Sequence, residues 1–418
     1  MSTTSERPAR VRPPAGSGPP EPHPVWQRLE SPLSTYYLLV SVIGILLFIG
    51  LVMVLSASSV TSIRRGDASY AVFLKQAQFA VIGLVGAFVA SRLPIRAWRR
   101  LSLPALVAAI SLQLLVFSPL GKEVNGNRNW IEVGSIGVQP SELGKLALVL
   151  FGATILANKR RLLHRWRHAI VPLIVPAGGL LVGLVLQGHD LGTALVLIAV
   201  LAGMMWAAGI SGRLFALAGA VGAALAGAMV LVSGNRMDRI DQWLSCSDVQ
   251  QCWQSTHGQW ALADGGLGGL GLGGSREKWQ WLPEPHNDFI FAIIGEELGI
   301  GGTLMVLVLF ALLALACYRI VIRTNDPFVR VATAGVMTWI LVQATINIGA
   351  VIGLLPVIGL PLPLVSSGGS ALVTTLTALG MVVSFARNEP ACRRALDARP
   401  GVLDRSFAAL TARRRARR

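Results

Sequence analysis

Trp281-Leu-Pro-Glu-Pro-His-Asn-Asp-Phe-Ile-Phe-Ala-Ile-Ile-Gly-Glu-Glu-Leu-Gly299 decides how this chain is read. A polar loop ends at Asp288, an apolar run begins at once, and two further carboxylates, Glu296 and Glu297, lie inside that run. An ionisable group at or below a membrane surface is costly to desolvate, so it marks a functional site by default. Asp288 sits where a substrate with one end in water and one in lipid would meet it. On helical geometry Glu296 and Glu297 lie ~12 Å along the axis from Asp288 and point ~100° apart, so both cannot face one site. They are expected to be packing or network carboxylates. The run 288–318 would be ~46 Å long as a straight helix, against a hydrocarbon core of ~30 Å. That predicts a break or tilt near Gly299-Ile-Gly-Gly302, or a first turn projecting from the membrane.

The rest of the chain agrees with a membrane. Of 418 residues 53% are hydrophobic and 14% charged, and the mean hydropathy is +0.59. A spanning helix needs ~20 apolar residues. Ten such stretches stand near 36–57, 71–91, 101–119, 141–158, 168–187, 190–208, 212–233, 288–318, 328–352 and 367–386. The expected fold class is an all-α integral membrane protein with ten transmembrane helices, a long extracytoplasmic loop at 234–287 and a re-entrant Pro/Gly segment. Three regions follow: a disordered cytoplasmic N-tail (1–33), the ten-helix domain (34–386) and a basic cytoplasmic C-tail (387–418). No signal-peptide core precedes the first span, which should stay uncleaved.

Basic residues orient the helices. Arg92, Arg96, Arg99 and Arg100, then Lys159 to Arg167, then Arg213, then Arg319, Arg323 and Arg330 fall on alternate loops, on the side of the N-terminal tail. The positive-inside rule places both termini in the cytoplasm of a plasma-membrane protein. Arg64 and Arg65 conflict with this, because they fall in an outside loop. The net charge of +16 is concentrated at the end of the chain, in Arg413-Arg-Arg-Ala-Arg-Arg418. A juxtamembrane basic tail binds anionic lipid headgroups, so nucleic acid is not the expected partner.

Four cysteines are present. Cys246 and Cys252 share the long outside loop, where an oxidising exterior permits a structural disulfide. Cys317 and Cys392 are expected to be free thiols. No Cys/His spacing resembles a zinc site.

Four polar elements face the outside. Gly121 to Pro140 is a polar loop containing Arg128, and it leads into Ser141-Glu-Leu-Gly-Lys145. Glu142 and Lys145 share a helical face at i,i+3 spacing. A surface pair of that kind is worth little, but this one enters a span, where an unpaired charge costs a few kcal/mol. Asp190, in the turn Gln187-Gly-His-Asp-Leu-Gly-Thr193, is expected first of all to cap the next helix, and His189 to be a solvated turn residue. Residues 265–274 hold seven glycines but lack the strand–loop–helix context of a nucleotide loop, so they read as irregular backbone close over a membrane-surface site. Arg276 and Lys278 follow as candidate phosphate contacts. The last element, Asn347 to Ser370, interrupts an apolar stretch with three prolines and five glycines. Broken backbone at membrane depth survives only where protein buries it or a cavity receives it.

Asn125-Gly-Asn-Arg-Asn-Trp130, Gln139-Pro-Ser-Glu-Leu-Gly-Lys145, Asp190-Leu-Gly-Thr193, Pro283 through Gly299, and Gly359-Leu-Pro-Leu-Pro-Leu-Val-Ser-Ser-Gly-Gly-Ser370 together resemble the SEDS family (shape, elongation, division and sporulation). They occur in family order across most of the membrane core. The Asn-Gly-Asn-Arg-Asn-Trp and Pro-His-Asn-Asp-Phe stretches and the long N-tail are nearer the division-type branch than the elongation-type one. The resemblance implies a peptidoglycan glycosyltransferase that polymerises lipid II, an undecaprenyl-diphosphate-linked disaccharide-pentapeptide, for septal wall synthesis during cell division. It implies a class B penicillin-binding transpeptidase and other divisome membrane proteins as partners. It makes Asp288 the essential aspartate and Glu142/Lys145 the family's Glu/Lys pair on the fourth helix; Glu142, Asp190, Ser367 and Ser370, within the matching motifs, are further candidate substrate contacts. Three positions depart from the pattern: His189 for a usual proline, Asn129 for a frequent second arginine, and Ser367 for a frequent tyrosine.

The chemistry fits those residues. An acceptor hydroxyl displaces diphosphate from the C1 of a donor sugar. Diphosphate leaves without a strong acid if cations neutralise its growing charge, so one carboxylate base suffices where a glycosidase needs two carboxyl groups. Asp288 is the candidate base, with Arg128, Lys145 and Lys278 as candidate diphosphate contacts. The residues alone leave base and helix N-cap as equal readings of Asp288, and the resemblance favours the base. No bound cofactor is expected, with a divalent cation such as Mg²⁺ the one open candidate. Two other classes compete: a lipid II flippase, which would make no polymer, and a non-catalytic scaffold for a transpeptidase.

Overall fold

Apolar on every side, the long runs of this chain form helices that have no solvent face of their own. The computed structural model describes residues 32–124, 126–134, 136–163, 171, 173–210, 212, 216, 219, 220 and 252–397. Its helices are α1 (Pro32–Arg64), α2 (Ala71–Arg92), α3 (Ile95–Leu115), α4 (Pro140–Asn158), α5 (Gly179–Gln187), α6 (Leu191–Ala207), α7 (Trp253–Gly265), α8 (Ile290–Arg323), α9 (Pro327–Val351), α10 (Gly369–Asn388) and the short α11 (Pro390–Asp397). Among the described residues α1, α2, α4, α8, α9 and α10 are long and apolar enough to cross a membrane. α5 extends backward through a π-helical turn, Ile174–Gly178, centred on Pro176. A proline there removes one backbone donor and favours such a turn. Nine of the expected spans thus have a helix; the seventh, 212–233, lies almost wholly outside the described residues, as do Cys246, most of the N-tail and most of the C-tail.

Local chemistry sets the helix starts. Asp326 caps α9 by accepting from the Phe328 N–H, with Pro327 in the first turn. Pro140 opens α4, with Glu142 in its first turn. Small residues then let helices approach. A Cβ at Gly380 of α10 would meet the Ala87 carbonyl oxygen of α2 at 2.4 Å, and one at Gly203 of α6 would meet Thr338 of α9 at 2.1 Å. Without a hydrophobic drive between helices in lipid, such close packing is what holds a bundle together. The centre is α4, α6 and α9, where Leu148, Leu197, Met204 and Trp339 are fully buried.

Two readings of the loops are corrected. The loop at 121–140 is a three-stranded antiparallel sheet, β1 (Gly121–Val124), β2 (Asn127–Val133) and β3 (Ile136–Val138), in the order β1-β2-β3. Its short strands turn at Gly126 (φ 80°) and Gly134 (φ 66°), positions that favour glycine. The long loop is partly ordered too, since it contains α7.

The predicted break in α8 is at Gly299, with φ 66° and ψ −161°. The Gly-rich stretch packs against that break and does not lie over the site. Leu270 N–H donates to the Glu296 carbonyl (2.9 Å), Gly271 N–H to that of Glu297 (3.0 Å), and Ile300 N–H to that of Gly266 (3.0 Å). A Cβ on Gly299 would meet Gly269 N at 2.5 Å, whereas one on Gly301 meets nothing within 4 Å. Gly299→Ala is therefore expected to cost at least the ~1–3 kcal/mol of a strained backbone, with the clash in addition. Gly301→Ala should be neutral or stabilising, because alanine is the better helix former. Thermal survival of the detergent-solubilised protein, read by size exclusion, checks both; equal melting of the two variants would remove this account.

Residues 352–368 cross the bundle with no regular structure and are buried at Leu362, Leu364 and Val365. Gly50, inside α1, would place a Cβ 2.5 Å from the Leu364 carbonyl oxygen, so this segment re-enters to membrane depth. Side chains serve its backbone: Gln343 donates to the Pro361 carbonyl (2.9 Å) and Asn347 to that of Leu360 (2.7 Å). Cys252 is disulfide-bonded, while Cys317 and Cys392 are free thiols. Mass mapping of unreduced peptides is expected to return a single 246–252 bridge.

Candidate functional site

A cleft of about 1070 Å³ opens at one end of the bundle. Its walls come from the start of α2, from β2, from the first turn of α4, from the α5–α6 turn, and from residues 283–289, 355–361 and 367–371. Asp288, Glu142, Asp190, Ser367 and Ser370 all face it. Five of the eight residues expected at the site from sequence are therefore brought together, from segments as far apart in the chain as Glu142 and Ser370.

Asp288 occupies the turn that precedes α8. The backbone around it is pinned from two sides. Asn347 Nδ2 donates to the Asp288 carbonyl (2.8 Å), Ser366 Oγ to the Asn287 carbonyl (2.6 Å), and Ser367 N–H to the His286 carbonyl (2.9 Å). Gly359, at φ 80°, brings the re-entrant backbone so close that a Cβ there would lie 3.5 Å from Asp288 Oδ2. The side chain does not cap α8: the cap position is Phe289, and it makes no side-chain cap hydrogen bond. Among the described residues no hydrogen bond reaches the Asp288 carboxylate. Burial, with a smaller contribution from the Glu284 carboxylate, raises its pKa to about 6. A base is most useful with a pKa near the working pH. Burial likewise pushes the neighbouring His286 below the usual imidazole range.

The Glu142–Lys145 pair forms as the spacing predicts, at 2.8 Å. Lys145 is 0% exposed, donates also to Gln343 Oε1 (3.0 Å) and lies 4.9 Å from the centre of the Trp339 ring. Glu142 Oε1 takes the lysine, whereas Oε2 is buried without a partner and its residue faces the cleft. Lys145 itself does not line the cleft; it touches Glu142, which does.

Asp190 caps α6, accepting from Thr193 N–H (2.8 Å), Thr193 Oγ1 (2.7 Å) and Gln139 Nε2 (3.3 Å). Gln139 N–H also donates to Ser370 Oγ (3.3 Å), which ties the head of α4 to that of α10. His189 is exposed at φ 65°, a turn residue as expected.

Two expected phosphate contacts are elsewhere. Lys278 is buried, with its ammonium on Glu297 (3.0 Å) and the Gly273 carbonyl (2.6 Å). Glu297 also accepts from Ser56 Oγ, and Glu296 accepts from Ser275 Oγ and Arg276 N–H, both at 2.6 Å. These two carboxylates are network groups that clamp the Gly-rich loop to the α8 break. Arg128 is half-buried and donates to the Ser118 carbonyl (3.1 Å), while its neighbours Asn127 and Asn129 face the cleft. A charge that already has a buried partner is costly to reassign to a ligand.

The cleft has other cations. Arg65, just after α1, and Lys75, in α2, are exposed and line it. Sequence reading missed them as site residues, although Arg64 and Arg65 stood out as basic residues on the wrong side of the membrane. α1 explains the conflict. Counting ~20 residues of hydrocarbon-spanning helix from Tyr36 reaches Ser56, so the last turns of α1 carry Arg64 and Arg65 clear of the membrane. Gln76 was missed as well; it donates to the Ser366 carbonyl (3.1 Å) and accepts from Gly368 N–H (3.1 Å), which holds the re-entrant segment open to the cleft.

The family model of the FtsW, RodA and SpoVE cell cycle proteins matches residues 36–390. The chain belongs to the SEDS family. It is 40% identical over 373 residues to the probable peptidoglycan glycosyltransferase FtsW of Mycobacterium tuberculosis, covering 88% of this chain and 71% of that one. It is 37% identical over 354 residues to stage V sporulation protein E of Bacillus subtilis, covering 84% and 96%. Solved structures share this SEDS fold. One chain of a peptidoglycan synthase complex, solved for the structural coordination of polymerization and crosslinking, superposes with a TM-score of 0.70 at 27% identity, covering 84% of this chain and 97% of that one. The rod shape determining protein RodA of Thermus thermophilus gives 0.63 at 28%, covering 84% and 96%. Among the described residues no three His, Cys, Asp or Glu side chains converge as a metal-ligand set.

Proposed function

We propose that this chain is a peptidoglycan glycosyltransferase of the division type, polymerising lipid II into glycan strands. The observation that carries this is the Asp288 carboxylate. It is held by its backbone, left without a hydrogen bond among the described residues, and placed in a cleft of about 1070 Å³ beside the re-entrant segment. Asp288 takes the proton of the acceptor hydroxyl as that oxygen attacks C1 of the donor. The C1–oxygen bond to diphosphate breaks, and the undecaprenyl diphosphate leaves with the electron pair. A single direct displacement inverts the configuration at C1. Arg65 and Lys75 are the cations that face the cleft among the described residues, and they take the diphosphate role in place of Arg128 and Lys278.

The protein is a multi-pass membrane protein. Both termini lie in the cytoplasm, and the cleft faces the outside. It works at the septum with a class B penicillin-binding transpeptidase, which would cross-link the strands as they emerge. Purified protein given lipid II, with and without that transpeptidase, is expected to make polymer. A flippase would move lipid II across proteoliposomes and make none. Arg65→Ala and Lys75→Ala should each weaken substrate use chiefly through a higher KM at unchanged fold. Unaltered kinetics in both variants would take the diphosphate away from these cations.

A further inference from the structure

We propose that the Gly/Leu loop at 266–274 is a membrane foot, with Leu267, Leu270 and Leu272 inserted into the lipid leaflet on the cleft side. All three are exposed, at 83%, 40% and 63%. Exposed leucines this close together in a glycine loop are unusual away from an interface.

Two helices give the depth of the loop independently. Arg319 and Arg323 mark the cytoplasmic end of α8, and twenty residues back from Arg319, about the ~30 Å of hydrocarbon, is Gly299. On α1 the same length counted from the aromatic pair Tyr36 and Tyr37 ends at Ser56. Ser56 Oγ donates to Glu297, so both counts reach one level. The loop is bonded to Glu296, Glu297 and Ile300, at that same level. Below it the exposed face of α8 continues through Ile300, Leu304 and Leu307, an apolar surface that lipid must cover. The leucines extend that surface to the edge of the hydrocarbon.

The backbone is prepared for such a place. Gly266, Gly269, Leu270, Gly271 and Gly274 all donate their N–H groups to protein carbonyls. Among the described residues the N–H groups of Leu267, Gly268, Leu272 and Gly273 make no such bond, which puts the leucine side chains, and not their backbone, into the hydrocarbon. The polar ends agree: exposed Asp264 precedes the loop and exposed Arg276 and Trp279 follow it, at headgroup level. Tryptophan is enriched at that level because its ring is amphipathic. The competing occupant is a protein partner covering the leucines.

The test uses the full chain in phospholipid nanodiscs, with Cys317→Ala and Cys392→Ala as background. Leu267→Cys and Leu272→Cys carry an environment-sensitive fluorophore, and Glu123→Cys on the exposed strand β1 is the control. Doxyl-labelled phosphatidylcholine should quench the leucine sites several-fold more than the control, and iodide several-fold less. The unaltered protein provides a second reading. Acyl-chain diazirine lipids should leave adducts on peptides covering 267–272. Iodide quenching equal to the control overturns the proposal. So does shielding that appears only when a transpeptidase is added, or lipid adducts on α2 and α8 with none on this loop.

Discussion

Asp288→Asn is expected to insert, fold and bind its transpeptidase partner, and to lose nearly all polymerisation of lipid II. Asparagine keeps the size of the side chain but cannot take a proton. Positioned general bases contribute ~10²–10⁴ in rate, and the loss should fall in that range. Folding should not suffer, because the side chain caps nothing and its neighbours hold the backbone of residues 286–288 instead. The same argument fixes a pH dependence. The base must be ionised, and burial has raised its pKa to about 6. Polymerisation by the unaltered protein should therefore be near full above that value and fall as pH drops through it. Purified, monodisperse variants assayed for glycan strands give the answer. Near-normal polymer from Asp288→Asn would refute the base, whatever its pH profile.

The largest stability effect is expected at Lys145. Lys145→Met removes the cation and leaves the buried Glu142 carboxylate with no charge to balance it. Breaking a buried pair from one side costs about 3–5 kcal/mol, because one charge is left uncompensated. Glu142→Gln leaves the opposite orphan, an ammonium with only Gln343 and the Trp339 ring beside it. It should harm stability and also activity, since Glu142 faces the cleft. The combined Glu142→Gln/Lys145→Met variant carries no orphan and should melt higher than either single variant. Strictly additive losses in that cycle would mean that the two residues do not act as a pair.

How much of this was legible in the sequence follows from the range of the forces. Spanning helices are local: length and uniform apolarity are enough, and the described helices fall on nine of the ten expected stretches. The i,i+3 pairing of Glu142 with Lys145 and the capping by Asp190 are set within one turn, and both were read from spacing. The α8 break was read from a length that exceeds the bilayer. The sheet at 121–138 was not read, because its strands are short and its pairing depends on turns at Gly126 and Gly134 that composition alone does not specify.

The sequence by itself determined the membrane class and the helix positions, and it set Asp288 apart as a candidate, because desolvation makes every ionisable residue in an apolar run conspicuous. Tertiary structure alone decided which cations line the cleft. Lys278 and Arg128 are as basic as Arg65 and Lys75, and nothing in their local sequence separates the two pairs. Lys278 is taken by Glu297, a partner nineteen positions along the chain and buried with it. Arg128 is taken by carbonyls of the turn after α3. Arg65 and Lys75 reach the cleft because α1 outruns the bilayer and α2 lies beside the re-entrant segment. Whether a charge is spent on the fold or left for a substrate depends on which groups packing brings within hydrogen-bond distance, and those groups come from segments far apart in the chain.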